Sequence, residues 1–348
     1  MRFFVYAARK VIFLQRLIGL QILYALILGP IARYFSRRMQ KKFAFLKEKL
    51  LTCVREQREW ASLKIPSHLR TIPFLLLTII KIDEEIKDPH WNQIKKAIFE
   101  TVLYPLAHKL SYAKRWTKRI QAAEYFLLVV DKKNEPHLLH LLRDTIPFIQ
   151  CSAAYGAAKL GTSQCVNAII DEMNKVDRFL RIPFREALLR GNEQGFKHIE
   201  KRLESDGDPC TRISCLEVLS DHMNAHVAEL ARGDLYSTSK NLRLAAIRAL
   251  GHYPDSESVS SLIPLLKHSE WEIRAIAARS LGYLGEKGTI SELSLLLRDQ
   301  IWWVRMNSAI ALKRLGEEGT KVLELQNPHE DRYAYEMAQY VLTLDIYE

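Results

Sequence analysis

Apolar residues recur three and four positions apart along most of the chain, the spacing that sets them on one face of an α-helix. In "IRAIAARSLGYLG", Ile273, Ala277 and Leu281 form one such stripe, with Arg274 and Arg279 between them. Strand-like alternation is hard to find, and the helix and strand breakers Gly and Pro number only 14 and 12. The pattern predicts an all-α fold.

The stripes recur with a period of 31 residues. Stepping by 31 from Arg274 gives Arg243, Arg212, Arg181, Gln150 and Arg119 in one direction, and Arg305 and Glu336 in the other. Seven positions after this anchor stand Phe126, Ala157, Leu188, Leu219, Leu250, Leu281 and Leu312. Columns three after and one before the anchor are also mostly apolar, and the offsets −1, +3 and +7 share one helical face. Eleven positions after it, Gly161, Gly285 and Gly316 fall where the helix should end, and Pro254 occupies the same column. A second apolar stretch follows in each unit, such as Leu262–Leu266 and Leu293–Leu297. Each tile therefore reads as helix, tight turn, helix, short loop. One such hairpin cannot bury its apolar face alone, so stacked tiles are expected. The stretch around Asp331–Leu344 puts polar residues in apolar columns and reads as a cap.

The pattern V/I-R-x-x-A-x-x-x-L-x-x-L-G, in "IRAIAARSLGYLG" and "VRMNSAIALKRLG", resembles the HEAT-repeat family, and the 31-residue length resembles its short bacterial, phycobilisome-lyase-type form. The resemblance implies a right-handed α-solenoid of about seven tiles with a terminal cap, used most often as a protein-interaction scaffold. It does not imply one activity. Residues 1–110 carry no clear match.

Charge changes the picture at one end only. Residues 1–60 hold 13 Lys and Arg against three Glu, so ten of the eleven net positive charges lie there. A nearly neutral repeat region argues against a nucleic-acid partner. Within that basic end, Val11–Phe35 is strongly apolar, with basic residues on both sides. It is expected to form a membrane-type helix. A partner-binding helix and a cleaved signal peptide are the alternatives. Arg33, Arg37, Arg38, Lys41 and Lys42 would face anionic headgroups, and the flanking charges place the repeats in the cytoplasm, at the inner membrane. The expected organisation is an anchor segment over 1–35, a helical stalk or N-terminal cap over 36–110, and a solenoid over 111–348. The second apolar run, Ile72–Ile82, is too short to span and is expected to be a buried helix.

No P-loop, G-x-G-x-x-G, G-x-S-x-G or H-E-x-x-H occurs. The five cysteines, an odd number with no C-x-x-C, read as reduced thiols. His222 and His226, four apart, and His137 and His140, three apart, read as helix-face residues rather than ligands. Metal-binding HEAT proteins of the deoxyhypusine hydroxylase class rely on repeated His-Glu pairs, and this chain has one, His329-Glu330. No catalytic residue, cofactor or metal is expected. The expected function is a membrane-tethered adaptor that holds a partner protein. The candidate contacts come from the second helices: Lys197, Lys201, Arg202, Glu257 and Lys267. The alternatives are a chromophore lyase-like or other HEAT-type enzyme and a nucleic-acid repair solenoid.

Overall fold

The 31-residue register is laid out as pairs of antiparallel helices, and the computed structural model describes residues 39–58, 66, 69 and 71–345. The chain divides into two units, Met1–Tyr125 and Phe126–Glu348.

In the first unit, residues 39–55 form α1, which buries Leu46 and Leu50. The apolar run expected to be buried is α2 (Ile72–Glu85), with Ile72, Leu75 and Ile82 fully enclosed. Asp88 caps α3 (Pro89–Ile98) by accepting the His90 and Trp91 amides. A π-turn over Phe99–Leu103 then passes into α4 (Tyr104–Ser111). Pro105 explains this turn, because it has no N–H to donate backward and the wider turn accommodates its ring. Asp83 fixes α2 to α3 by accepting from the Trp91 Nε1 at 2.6 Å and the Lys95 Nζ at 2.9 Å. Helix α5 (Trp116–Leu128) carries the first anchor, Arg119, which donates to the Ala113 and Lys114 carbonyls.

The second unit is a two-layer stack. One layer holds the anchor helices α7 (Pro147–Leu160), α9 (Arg178–Leu189), α11 (Pro209–Leu219), α13 (Lys240–Leu250), α15 (Trp271–Leu284) and α17 (Trp302–Arg314), each packed on the next. The other holds α6 (Glu135–Leu142), α8 (Ser163–Lys175), α10 (Glu193–Ser205), α12 (Ala225–Asp234), α14 (Ser256–Leu262), α16 (Ile290–Leu295) and α18 (Glu317–Glu324). Helix α19 (Arg332–Thr343) closes the series against α17. Leu188, Leu219, Leu250, Leu281 and Leu312 are all buried between the layers. Each stabilises the stack by about 1.5–3 kcal/mol. Polar side chains start the helices: Asp177, Asn192, Asp208, Asn224, Ser239 and Asp255 each accept a backbone N–H of the first turn. Gly161 and Gly285 end α7 and α15 in the left-handed conformation, at φ 67° and 72°.

The anchor arginines tie tile to tile. Arg243, Arg274 and Arg305 each donate to the carbonyls six and five residues before them, closing their own loops. Arg274 also reaches forward to Asp299 through two bonds of 2.8 and 3.0 Å, and Arg212 grips Asp234 in the same way. Glu270 pairs with Arg243 of the preceding tile, not with Arg274 four residues on.

The membrane expectation is corrected. Val11–Phe35 lies outside the described residues, as do Arg33, Arg37 and Arg38. Among the described residues no helix is long and apolar enough to cross a membrane. Helix α2, the most apolar of those discussed, spans 14 residues, or about 21 Å against a hydrocarbon core of about 30 Å. The N-terminal membrane helix is therefore withdrawn from the fold. The tethered adaptor, the membrane partner and the inner-membrane placement lose the support they rested on. Lys41 and Lys42, the two described members of the basic set, stand on α1.

Candidate functional site: a groove along the anchor helices

The offsets −1, +3 and +7 face the core, so the opposite face of each anchor helix carries offsets −2, +2, +5 and +9. These columns have no fixed residue type. In α15 they read Glu272, Ile276, Arg279 and Tyr283; in α13 and its C-terminal turn, Asn241, Ala245, Arg248 and His252. Residues of this face on α13 and α15, with Arg181, Ile182 and Arg185 of α9 and Leu216, Glu217 and Ser220 at the end of α11, line one groove enclosing about 480 Å³. Ile182, Leu216, Ala245 and Ile276 are among the residues of its floor, and Arg181, Arg185, Arg248 and Arg279 are its cations. Aromatic side chains stand exposed where the anchor helices begin: Phe179 is 82% exposed and Trp303 56%. Trp302 and Trp303 meet edge to face, their centroids 4.7 Å apart.

The charges of the groove are arranged differently at its two ends. Arg181 donates to the Ser214 hydroxyl at 2.8 Å and the Glu217 carboxylate at 3.1 Å. Arg185 reaches the Glu217 carbonyl and the Asp221 carboxylate, both at 2.9 Å, and stands 3.5 Å from Glu186. At the other end, Arg279 donates to the Tyr283 hydroxyl at 3.1 Å, and its guanidinium lies 5.6 Å from the ring centre. Arg314 of α17 covers the same ring at 4.0 Å, and His252 stacks beside it at 5.9 Å. The hydrogen bond from Arg279, then that from Arg314, holds the Tyr283 phenol below its ordinary value of 10.0. Among the described residues no carboxylate lies within ion-pair distance of Arg279 or Arg314.

A second cavity of about 430 Å³ lies on the other side, lined by Tyr236, Ser260, Pro264 and Leu265 among others. Its one arginine, Arg243, bonds its loop carbonyls and Glu270 through its two terminal nitrogens, and its buried Nε has no partner.

The residues nominated from sequence stand on the second layer and do not line the groove. Lys197 lies 3.5 Å from Glu193, and Lys201 and Lys267 are exposed. Arg202 donates to Asp171 at 3.0 Å and Asp206 at 2.8 Å, and Glu257 pairs with Arg232 at 2.9 Å. Those last two serve contacts within the chain. His222 lies against Phe196, with centroids 3.8 Å apart, and His226 is 4.0 Å from Glu204. Buried His137 stacks on Phe126. Among the described residues no three His, Cys, Asp or Glu side chains are grouped to hold a metal. Burial pushes the thiols of Cys165 and Cys215 up to about 11 and about 12, which leaves them protonated and unreactive.

A family model described as HEAT repeats matches residues 224–299 and 259–339. No relative is found among curated proteins. Among solved structures, Kap121p matches with a TM-score of 0.53 and 10% identity, over 76% of this chain and 35% of that one. Human deoxyhypusine hydroxylase, in complex with glycerol, matches with a TM-score of 0.29 and 17% identity, over 73% of this chain and 99% of that one. The complex of CpcE and CpcF of phycocyanin lyase from Nostoc sp. PCC7120 matches with a TM-score of 0.33 and 19% identity, over 68% and 94%. The fold is a HEAT-type α-solenoid.

Proposed function

We propose that the chain is a HEAT-type scaffold that holds a partner protein in the groove of its anchor helices. The observation that carries this reading is the groove itself: about 480 Å³ open along four successive helices, floored by apolar residues and edged by arginines. An apolar floor with a few placed polar groups suits a recognition site, and exposed aromatics and arginines are the residue types that dominate binding energy at interfaces. In this reading the chain performs no chemistry of its own. The test is a photocrosslinking amino acid placed at Ile276 in the groove or at Lys267 on the other layer, in cells. Discrete protein adducts from Ile276 and few from Lys267 are expected; adducts from Lys267 alone would overturn the proposal.

A second reading is a chromophore lyase-like role, or another HEAT-type enzyme, in keeping with the short bacterial tile. The same cavity volume and arginines suit a small anionic molecule. Pigment copurifying with the protein from a tetrapyrrole-producing host would favour this reading, and a colourless preparation would remove it.

A further inference from the structure

We propose that the C-terminal end of the groove binds an acidic linear segment of the partner, its carboxylates seated on Arg279 and Arg314 beside Tyr283. This deepens the scaffold reading and rests on it.

Charge and geometry both point this way. Arg181, Arg185, Arg212, Arg243 and Arg274 each have a carboxylate partner within the chain. Arg279 and Arg314 have Tyr283 instead, bonded to one and covered by the other. A guanidinium presents five N–H donors in a planar fork, and one bond to Tyr283 leaves most of them for a carboxylate. The ring also holds two long side chains in place, so less rotamer freedom is lost when an anion arrives.

The spacing of the tiles sets the spacing of the acids. Packed helices lie about 8–10 Å apart, and an extended chain advances about 3.3 Å per residue. A segment crossing the anchor helices therefore meets a new helix about every third residue. Arg279 and Arg314 stand on the adjacent anchor helices α15 and α17, so they call for Glu or Asp about three residues apart. At the other end Glu217 lines the groove and Asp221 and Glu186 stand beside Arg185, all of which disfavour a phosphate backbone. Residues 61–348 are also close to neutral in total. Both features favour a peptide with localised carboxylates over a nucleic acid.

The test uses the full chain and fluorescence polarisation of a labelled peptide of repeated Glu-Ser-Ser units. It should bind, and binding should fall as salt rises. The double variant Arg279→Gln, Arg314→Gln should weaken it at least about tenfold, since each charged hydrogen bond is worth about that factor. Arg298→Gln, which removes an ion pair to Glu330 on the other layer, should leave it unchanged. The charge-swapped Arg279→Glu, Arg314→Glu variant should gain affinity for repeated Lys-Ser-Ser, which a misfolded protein would not. Equal binding of repeated Gln-Ser-Ser, an undiminished double variant, or tighter binding of oligothymidylate would overturn the proposal. Crosslinks from Ile276 together with no acidic preference would overturn it while the scaffold stands; loss of both would overturn both.

Discussion

The two ends of the groove use their arginines differently. At α9 and α11, Arg181 and Arg185 meet Glu217 and Asp221 and hold adjacent tiles together. At α15 and α17, Arg279 and Arg314 meet Tyr283, through its hydroxyl and its ring, and no carboxylate among the described residues. A charge paired within the chain supports the fold, whereas one left against a ring remains open to an external anion. The difference arises in the columns that vary from tile to tile. At offset +5 the residue is Glu186 in α9 and Glu217 in α11, but Arg248 in α13 and Arg279 in α15.

The largest effect is expected beneath the C-terminal end. Asp299 is nearly enclosed, its side chain 9% exposed, and holds Arg274 by two bonds. Asp299→Ala leaves Arg274 without its partner and should cost about 3 kcal/mol in urea unfolding. Glu217→Ala, in the more open pair at the other end, should cost under about 1 kcal/mol. Equal losses would break the comparison. The Asp299 pair also sets a pH dependence. Burial pushes its carboxyl up, but hydrogen bonds from Arg274 and the Ile301 amide, with the Arg274 and Arg305 charges, outweigh that and hold it below 3.8. A depressed folded pKa gives stability that is present above pH 3.8 and lost as the pH falls through the folded value. Wild type and Asp299→Asn should therefore converge in melting temperature only in strong acid.

A smaller effect tests the close approach of α15 and α17. A Cβ on Gly282 would sit 2.6 Å from the Ala311 Cα. Gly282→Ala should destabilise by up to about 2 kcal/mol net, because overpacking of about 1–3 kcal/mol against backbone outweighs a helix-propensity gain of about 1 kcal/mol. The preceding tile holds Gly251 in the same column, where a Cβ would sit 2.7 Å from the Ser280 Cβ, whereas α9 holds Leu189. A neutral Gly282→Ala would show that the helices separate freely.

Smaller still is a titration. Arg279→Gln removes the main cause of the lowered Tyr283 phenol, so its pKa should rise toward 10.0. An NMR titration of the labelled tyrosines would read it, and an unmoved Tyr283 would deny that the two side chains are coupled. The least effect is expected on the second layer. Lys197→Ala and Lys201→Ala should leave acidic-peptide affinity within error, as both stand away from the groove. A clear loss would return that layer to the binding account.

The architecture could be read from the sequence because core positions repeat. Leu250, Leu281 and Leu312 recur at 31 residues since each fills the same buried space. The arginine ladder was also visible, but not its pairing, because Glu270 is near Arg274 in sequence and near Arg243 in space. The groove was harder to see. Apart from Arg181 its cations lie in columns with no recurring residue type, so Arg279, with Tyr283 and Arg314 beside it, gave no repeat signal. Reading offset +5 from α9 to α15 would have found the change from Glu186 and Glu217 to Arg248 and Arg279. The sequence reading favoured the second helices, whose exposed lysines and arginines are prominent; Arg202 and Glu257 instead pair with neighbouring charges.

The most direct test of the groove as the partner-binding face combines its position with its charge. The crosslinker is placed at Ile276 in otherwise wild-type protein and in the Arg279→Glu, Arg314→Glu variant, and adducts are compared in cells at equal protein levels. The groove account predicts a discrete adduct in the first, and the acidic-segment inference predicts its loss in the second. No adduct in the first would contradict the groove account, and an adduct of the same mass and yield in both would contradict the seat on Arg279 and Arg314.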